Sequence, residues 1–478
     1  MSPKPTSSNK FLEGPILTSL IALAVPIVLT NILQAGYQLI DAFWVGRLGG
    51  DAVAAVSVTF PVIFLSIALG TGLAIAGSTL IAQYVGAKQQ DMVNHVAAQT
   101  LLMIAFVSIV LGAIGYVIAP SLLSLMGVTP EVYEGALGFM RVSFIGLVFT
   151  FTFFMFQSIM RGIGETTLPI YIVLATVALN FVLDPLFIFG WGPIPAMGVM
   201  GAALATLGTQ SIAAFAGIFV LLRGKHGVHL FLKDFVPDLS YIKRAFFLGF
   251  PASIEMSARA LALTVMTFLI ASFGTLAVAS YGVAGNVIQV IIIPAMGLAM
   301  AISTLVGQNI GAGNMERAAR IGRLGAWLSF WMLTTVGVLT FLFAPALVAF
   351  FVPEEPEVIA SGATVLRTMS LSWGFLGAQI ALTGVLRASG NMVMTMVLTL
   401  VSQWVIQFPL AYMLAKHTDL GVNGIWWAFP IANVLTVLIT VAIYMKGDWK
   451  GKRLTDPEEV LTEKVSEEII VEESFANR

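Results

Sequence analysis

The chain has 478 residues, of which 58% are hydrophobic and only 10% charged. Soluble domains carry roughly 25% charged residues, so a chain this long could not cover a water-facing surface, and lipid is the solvent that tolerates its composition. A net charge of −1 predicts no nucleic-acid partner, the absence of cysteine excludes disulfides and thiol chemistry, and the four histidines (His95, His226, His229, His417) form no metal-ligand pattern.

From the N-terminus, residues Met1 to Lys10 are polar and the apolar run after them is long enough to span. No cleavable signal peptide is read here, so the first span is expected to stay in the mature protein. A helix needs about 20 mostly apolar residues to cross the hydrocarbon core. Twelve such runs follow: 16–46, 52–83, 93–119, 136–160, 168–190 and 199–222, then 241–272, 277–308, 318–350, 361–386, 392–415 and 421–445. The longer runs imply tilt or protruding ends. Pro26, Pro61, Pro251 and Pro294 lie inside spans, where each removes a backbone donor and is able to bend its helix.

With the N-terminus inside, the inner segments collect nearly all of the 24 Lys and Arg, while the outer loops hold only Arg47 and Lys416. The positive-inside rule then places both termini in the cytoplasm of a multi-pass cell-membrane protein. The acidic, polar tail after Trp449 is expected to be mobile.

The two halves repeat. Pro26 and Pro251 are 225 positions apart, and Ser78-Thr79-Leu80-Ile81-Ala82-Gln83 recurs at the same offset as Ser303-Thr304-Leu305-Val306-Gly307-Gln308. Gly86-Ala87 recurs as Gly311-Ala312 and Ala119-Pro120 as Ala344-Pro345. Arg141 matches Arg367, and Met160-Arg161 matches Leu386-Arg387, at an offset of 226. Six spans per unit make a parallel repeat, related by an axis along the membrane normal. The expected division is an N-lobe over 1–222, a cytoplasmic linker over 223–244, a C-lobe over 245–446 and an acidic tail over 447–478. Transporters on this plan bind substrate between the repeats and rock them to alternate access.

Ionisable groups inside spans are functional candidates by default. Asp41 lies near the outer end of the first span, and Asp184 at a matching depth in the fifth, both roughly 8–9 Å below the outer end at 1.5 Å per residue. Asn180 precedes Asp184 by four residues and shares its helix face, and Thr206 in the sixth span falls at roughly 10 Å. Two carboxylates, an amide and a hydroxyl in one layer suit Na⁺ or a proton shared between carboxylates. The alternative is that these groups only join helices by hydrogen bonds. Met266 stands opposite Asp41 in the repeat, so the acidic layer belongs to the N-terminal half alone. Glu255 and Arg259 are spaced i,i+4 in the favourable order, which suits a self-neutralising pair. Arg141 and Arg367 are expected to snorkel outward or to pair with Glu131, Glu134, Glu354 or Glu355. The dense aromatic and Met run from Phe149 to Gln157 suits apolar cations, although a lipid-facing helix looks the same.

These residues resemble the multidrug and toxic compound extrusion (MATE) family, bacterial and archaeal type, over nearly the whole chain. The resemblance is carried by Pro26, by Asp41 to Gly49, Ala82 to Ala87, Met160 to Gly164, Asn180 to Pro185, and Gly198 to Thr206. It implies two six-helix lobes forming a V, and export of cationic or amphipathic organic compounds in exchange for Na⁺ or H⁺ by a rocker switch. It also implies a coupling-cation site at Asp41, Asn180, Asp184 and Thr206, with a backbone carbonyl at Ala202, able to take Na⁺. Substrate contacts fall on Gln34, Tyr37, Gln157 and Asn180. Glu255 matches an acidic position of one branch, but the second acid of that branch is missing between Ser361 and Leu386, so the N-lobe site is favoured over a C-lobe one. No catalytic residue, no cofactor beyond the coupling ion and a monomer in the lipid bilayer are expected.

Three rivals compete. A lipid-linked oligosaccharide flippase of the same superfamily should line its cavity with several Arg or Lys. Only Arg141, Arg259 and Arg367 lie within the spans, against three acids, so an acidic or neutral cavity is expected. An intramembrane di-Asp enzyme would not explain twelve duplicated spans, and a channel needs no two-state repeat.

Overall fold

The structure is a computed structural model that describes residues 11–455; the polar start of the chain and the acidic tail beyond 455 lie outside the described residues. Without water to satisfy N–H and C=O groups, a chain in lipid must close its backbone hydrogen bonds within each segment, and it does so as helices. In order they are α1 (Ile16–Gly46), α2 (Gly50–Gly86), α3 (Gln90–Leu125), α4 (Pro130–Ile163), α5 (Thr167–Phe189) and α6 (Gly198–Arg223). The second set is α7 (Leu239–Ala271), α8 (Thr275–Gly311), α9 (Met315–Phe351), α10a (Pro356–Ser370) with α10b (Trp373–Ala388), α11 (Met392–Lys416) and α12 (Val422–Lys446). Eleven of these are long and apolar enough to cross a bilayer alone, and the α10a/α10b pair makes the twelfth span.

Two helices depart from the straight rods expected. The tenth span is bent by 52° between Ser370 and Trp373. There Ser372 donates to the Met369 carbonyl (3.1 Å) and accepts from Asn433 of α12 (2.9 Å), with Gly374 two residues on. A serine–glycine pair with side chains competing for backbone groups is a common cause of a kink. In α11 a π turn runs from Val401 to Gln407, just before Pro409. Proline lacks the N–H that the next helical bond would need, and a widened turn absorbs the mismatch.

Helices pack into two lobes. One core, around Leu80, Ile81, Phe151, Phe156 and Ile159, belongs to the N-terminal half. Two others, around Leu305 and Ile310 and around Met266 and Trp426, belong to the C-terminal half. The first helix of each half crosses over. Leu20, Leu23 and Ile27 of α1 bury in the C-terminal core, and Ala245 of α7 buries in the N-terminal one.

The lobes meet at one end through repeat-related pairs. Gly86 of α2 sits against the Gln308 carbonyl of α8, and Gly311 of α8 sits against the Gln83 carbonyl of α2. Gly72 packs on Ser253 of α7, and Gly297 on Val28 of α1, the same pair 225 positions apart. The Gln83 side chain donates to the Ala388 carbonyl (2.7 Å), and Gln308 donates to the Gly162 carbonyl (3.0 Å). Toward the other end, Gly36 of α1 and Gly282 and Gly285 of α8 have nothing within 4 Å of a side-chain position. Contact at one end and open space at the other make the V.

The start of the acidic tail is docked rather than free. Trp449 is buried, donates to the Tyr444 carbonyl (3.0 Å) and stacks on its ring. The Leu454 amide donates to Gln83 (2.8 Å) and its carbonyl accepts from Arg244 (2.7 Å), so this segment lies across the closed end.

Candidate functional site

Three helices, α1, α5 and α6, bring the acidic layer together. Asn180 and Asp184 lie one turn apart on α5, both fully buried, and Asn180 Nδ2 donates to Asp184 Oδ1 (3.1 Å). Thr206 of α6 donates to Asp41 Oδ2 of α1 (3.3 Å). The Asp41 side chain lies close to those of Asp184 and Asn180. Below them, Tyr37 of α1 is hydrogen-bonded to Thr209 of α6 (2.5 Å). Ala202 is buried one turn before Thr206. The structure thus brings together Asp41, Asn180, Asp184 and Thr206, the four residues that helix rise placed at one depth.

The chemistry of the layer lies in what is left over. Asp41 Oδ1, Asn180 Oδ1 and Asp184 Oδ2 are buried with no hydrogen-bond partner among the described residues. A buried oxygen without a donor costs about 1–3 kcal/mol, more when charged. Three such acceptors converging, with no cationic side chain among them, form a place for a proton or a hard cation.

Gln34 and Gln157 meet across α1 and α4, with Gln34 Nε2 donating to Gln157 Oε1 (3.3 Å), while Gln157 Nε2 is buried without a partner. The predicted substrate contacts Gln34 and Gln157 thus touch each other, and Tyr37 and Asn180 join the acidic layer instead.

Glu255 departs from its expected surroundings. It is fully buried, and its Oε1 accepts from Arg387 (2.6 Å), Thr399 (3.1 Å) and Arg259 (3.5 Å). The expected i,i+4 pair is the longer contact, and the stronger partner, Arg387, is one that hydropathy had placed in an inner segment. Two guanidinium groups on one carboxylate leave no net negative charge there for a cation. Arg141 and Arg367 pair with no acid among the described residues; they lie over Tyr116 (4.8 Å) and Phe341 (5.8 Å).

The expectation of an acidic or neutral cavity also needs correction. A cavity of about 100 Å³ between the lobes is lined by Arg161, Arg259 and Arg387. Arg161 was missed because it closes a span, but its repeat match with Arg387 was the available signal.

A bundle of twelve spans in two repeated lobes, open at one end and carrying a buried polar layer, defines a membrane transporter and not an enzyme. The MatE family model matches residues 26–186 and 251–413, and the chain belongs to this family. It is 30% identical over 462 residues to the probable multidrug resistance protein YoeA of Bacillus subtilis, covering 95% of this chain and 98% of that one. A MATE protein crystallised with MaL6 matches with a TM-score of 0.87 at 25% identity, covering 92% and 98% of the two chains. A MOP superfamily transporter from Pyrococcus furiosus, described as having a binding pocket of reverse polarity, matches equally well at 0.87 and 25%, covering 94% and 100%. The family and its multidrug resistance relatives support drug efflux and do not favour the flippase reading.

Proposed function

We propose that the protein is a secondary antiporter that exports cationic or amphipathic organic compounds in exchange for H⁺ or Na⁺, with the coupling cation held by Asp41, Asn180, Asp184 and Thr206. The observation that carries this is the convergence of three unpartnered buried oxygens, Asp41 Oδ1, Asn180 Oδ1 and Asp184 Oδ2, in one polar layer. Cation entry there satisfies those oxygens and draws α1, α5 and α6 together. A ligand shifts a two-state equilibrium only by binding one state better, and a cluster of this kind differs in energy between filled and empty. The Lys and Arg distribution supports placing the closed end and both termini in the cytoplasm, so that the open end faces outward. The rocker switch then exchanges the closed contacts for equivalent ones at the outer end. The chain would act as a monomer in the cell membrane, with an N-lobe over 1–222 and a C-lobe over 245–446 as the moving bodies.

Expression of Asp41→Asn and Asp184→Asn in a bacterium lacking its own efflux pumps tests this. Each variant should accumulate a lipophilic cationic dye to the level of cells without the transporter, while reaching the membrane in wild-type amount. Dye extrusion at the wild-type rate by either variant would remove the carboxylates from the mechanism.

A further inference from the structure

The cavity between the lobes is positive, and the acidic layer lies elsewhere. Arg161 comes from the last turn of α4, Arg387 from the last turn of α10b and Arg259 from α7. Among the described residues only one carboxylate, Glu255, compensates them, and Arg387 and Arg259 share a single oxygen of it. Arg161 has no acidic partner among the described residues; its guanidinium donates to Ser158 Oγ (3.2 Å) and meets the Met300 sulfur (3.7 Å). Nε of both Arg259 and Arg387 is buried without an acceptor.

Arginine in the last turn of a helix is favoured by the helix dipole, and that accounts for part of the arrangement. Each helix end supplies about half a negative charge. Two such ends and one carboxylate still leave positive charge in excess. Guanidinium groups are the side chains best matched to planar or tetrahedral oxyanions, because they offer paired donors. The rest of the lining is amphipathic. Ser78 and Ser303 add hydroxyl groups, while Met256, Met296 and Met300 supply an apolar wall. The volume, about 100 Å³, is several times what one water needs and suits one charged group rather than a whole drug-sized molecule.

We propose that this cavity binds the negative group, a carboxylate or a phosphate, of an amphipathic substrate, held jointly by Arg161 of one lobe and by Arg259 and Arg387 of the other. The proposal rests on the exporter reading and adds a preference, among its amphipathic substrates, for compounds that also carry an anionic group, zwitterions included. Because the three arginines come from both lobes, the bound anion ties the lobes together near the end where they already meet, where Thr79 of α2 donates to the Arg387 carbonyl (3.4 Å).

The test is equilibrium binding to the purified full chain in lipid nanodiscs, read by fluorescence anisotropy. The probes are rhodamine B, which carries a free carboxylate, and rhodamine B ethyl ester, which does not. Charge-assisted hydrogen bonds predict that wild type binds the free acid roughly tenfold tighter than the ester. Arg161→Gln, which leaves no orphaned acid behind, should bring that preference down to about twofold. Arg259→Gln, on the opposite lobe, should do the same and guards against misfolding of the first variant. Equal wild-type affinity for the two dyes, or a preference that survives both substitutions, overturns the proposal. The titration is repeated in phosphatidylcholine and in phosphatidylglycerol nanodiscs. A preference seen in both supports a substrate anion, whereas its loss in phosphatidylglycerol would give the cavity to a lipid headgroup and overturn the substrate assignment. No gradient is present, so the outcome is independent of whether Asp41 and Asp184 couple transport.

Discussion

Asp184 is fully buried, yet one of its carboxylate oxygens meets no donor. Glu255 is also fully buried, and its Oε2 likewise meets no donor, but two arginines neutralise the carboxylate through Oε1. These two carboxylates show how much of the site was legible in sequence. Asp41, Asn180, Asp184 and Thr206 could be placed in one layer because helix rise converts residue number into depth. Glu255 could not be understood that way, because its main partner Arg387 is 132 residues distant and no local spacing announces the contact. The pair makes a prediction of its own. Arg387→Ala leaves Glu255 buried with the Thr399 hydroxyl and the longer Arg259 contact, its closest cation gone, and should destabilise the detergent-solubilised protein by about 3–5 kcal/mol. The double variant Glu255→Gln, Arg387→Gln should recover most of that loss in the same thermal unfolding assay. Equal losses for single and double variants would show that the ion pair is not what matters. Outside the spans, Asp238 caps α7 by accepting from the Ser240 and Tyr241 amides (3.1 and 3.3 Å). Its partial burial raises the carboxyl pKa, but Ser240, the Tyr241 amide and His95 outweigh that and hold it below the usual carboxylate value. A depressed carboxyl stabilises the fold above the ordinary carboxylate range and loses that contribution as pH falls through its folded value. Asp238→Ala should therefore cost about 1 kcal/mol near neutral pH, and the difference from wild type should shrink in acid.

At the scale of elements, the helices were readable because lipid leaves few alternatives, and hydrophobic length alone marked each one. The bend in the tenth span was not, since Ser372 kinks the chain only in combination with Asn433 on another helix. The repeat was visible at 225 residues, but its physical meaning emerges only from packing. Gly86 and Gly311 recur because each must let the other half's backbone approach, and Gly72 and Gly297 do the same for α7 and α1. A side chain at Gly86 would run into the Gln308 carbonyl. Gly86→Ala should therefore lower stability by about 1–3 kcal/mol, the usual range for overpacking. Gly36→Ala, where a side chain meets open space, should leave stability unchanged or raise it by about 0.5–1 kcal/mol. Thermal unfolding of both variants in detergent checks the contrast, and a larger loss at Gly36 would contradict the packing account.

For the molecule as a whole, the proposed rocker switch requires a second arrangement in which the lobes are joined at the other end. The chain contains no cysteine, so spin labels can be introduced without background. Labels at Asp91 and Glu316 report on the closed end, and labels at Asp51 and Thr275 report on the open end. Rocking predicts that the first distance grows while the second shrinks when the cation layer is emptied or filled. Parallel changes at both ends would rule out a rocker switch. The central claim, that cation entry at Asp41 and Asp184 drives export, is tested most directly by dye efflux from proteoliposomes with a Na⁺ gradient and a pH gradient imposed separately. One of the two gradients should drive efflux in wild type, and Asp41→Asn should reduce it to the rate of empty liposomes. Undiminished gradient-driven efflux by Asp41→Asn, or no efflux by wild type under either gradient, would contradict the account.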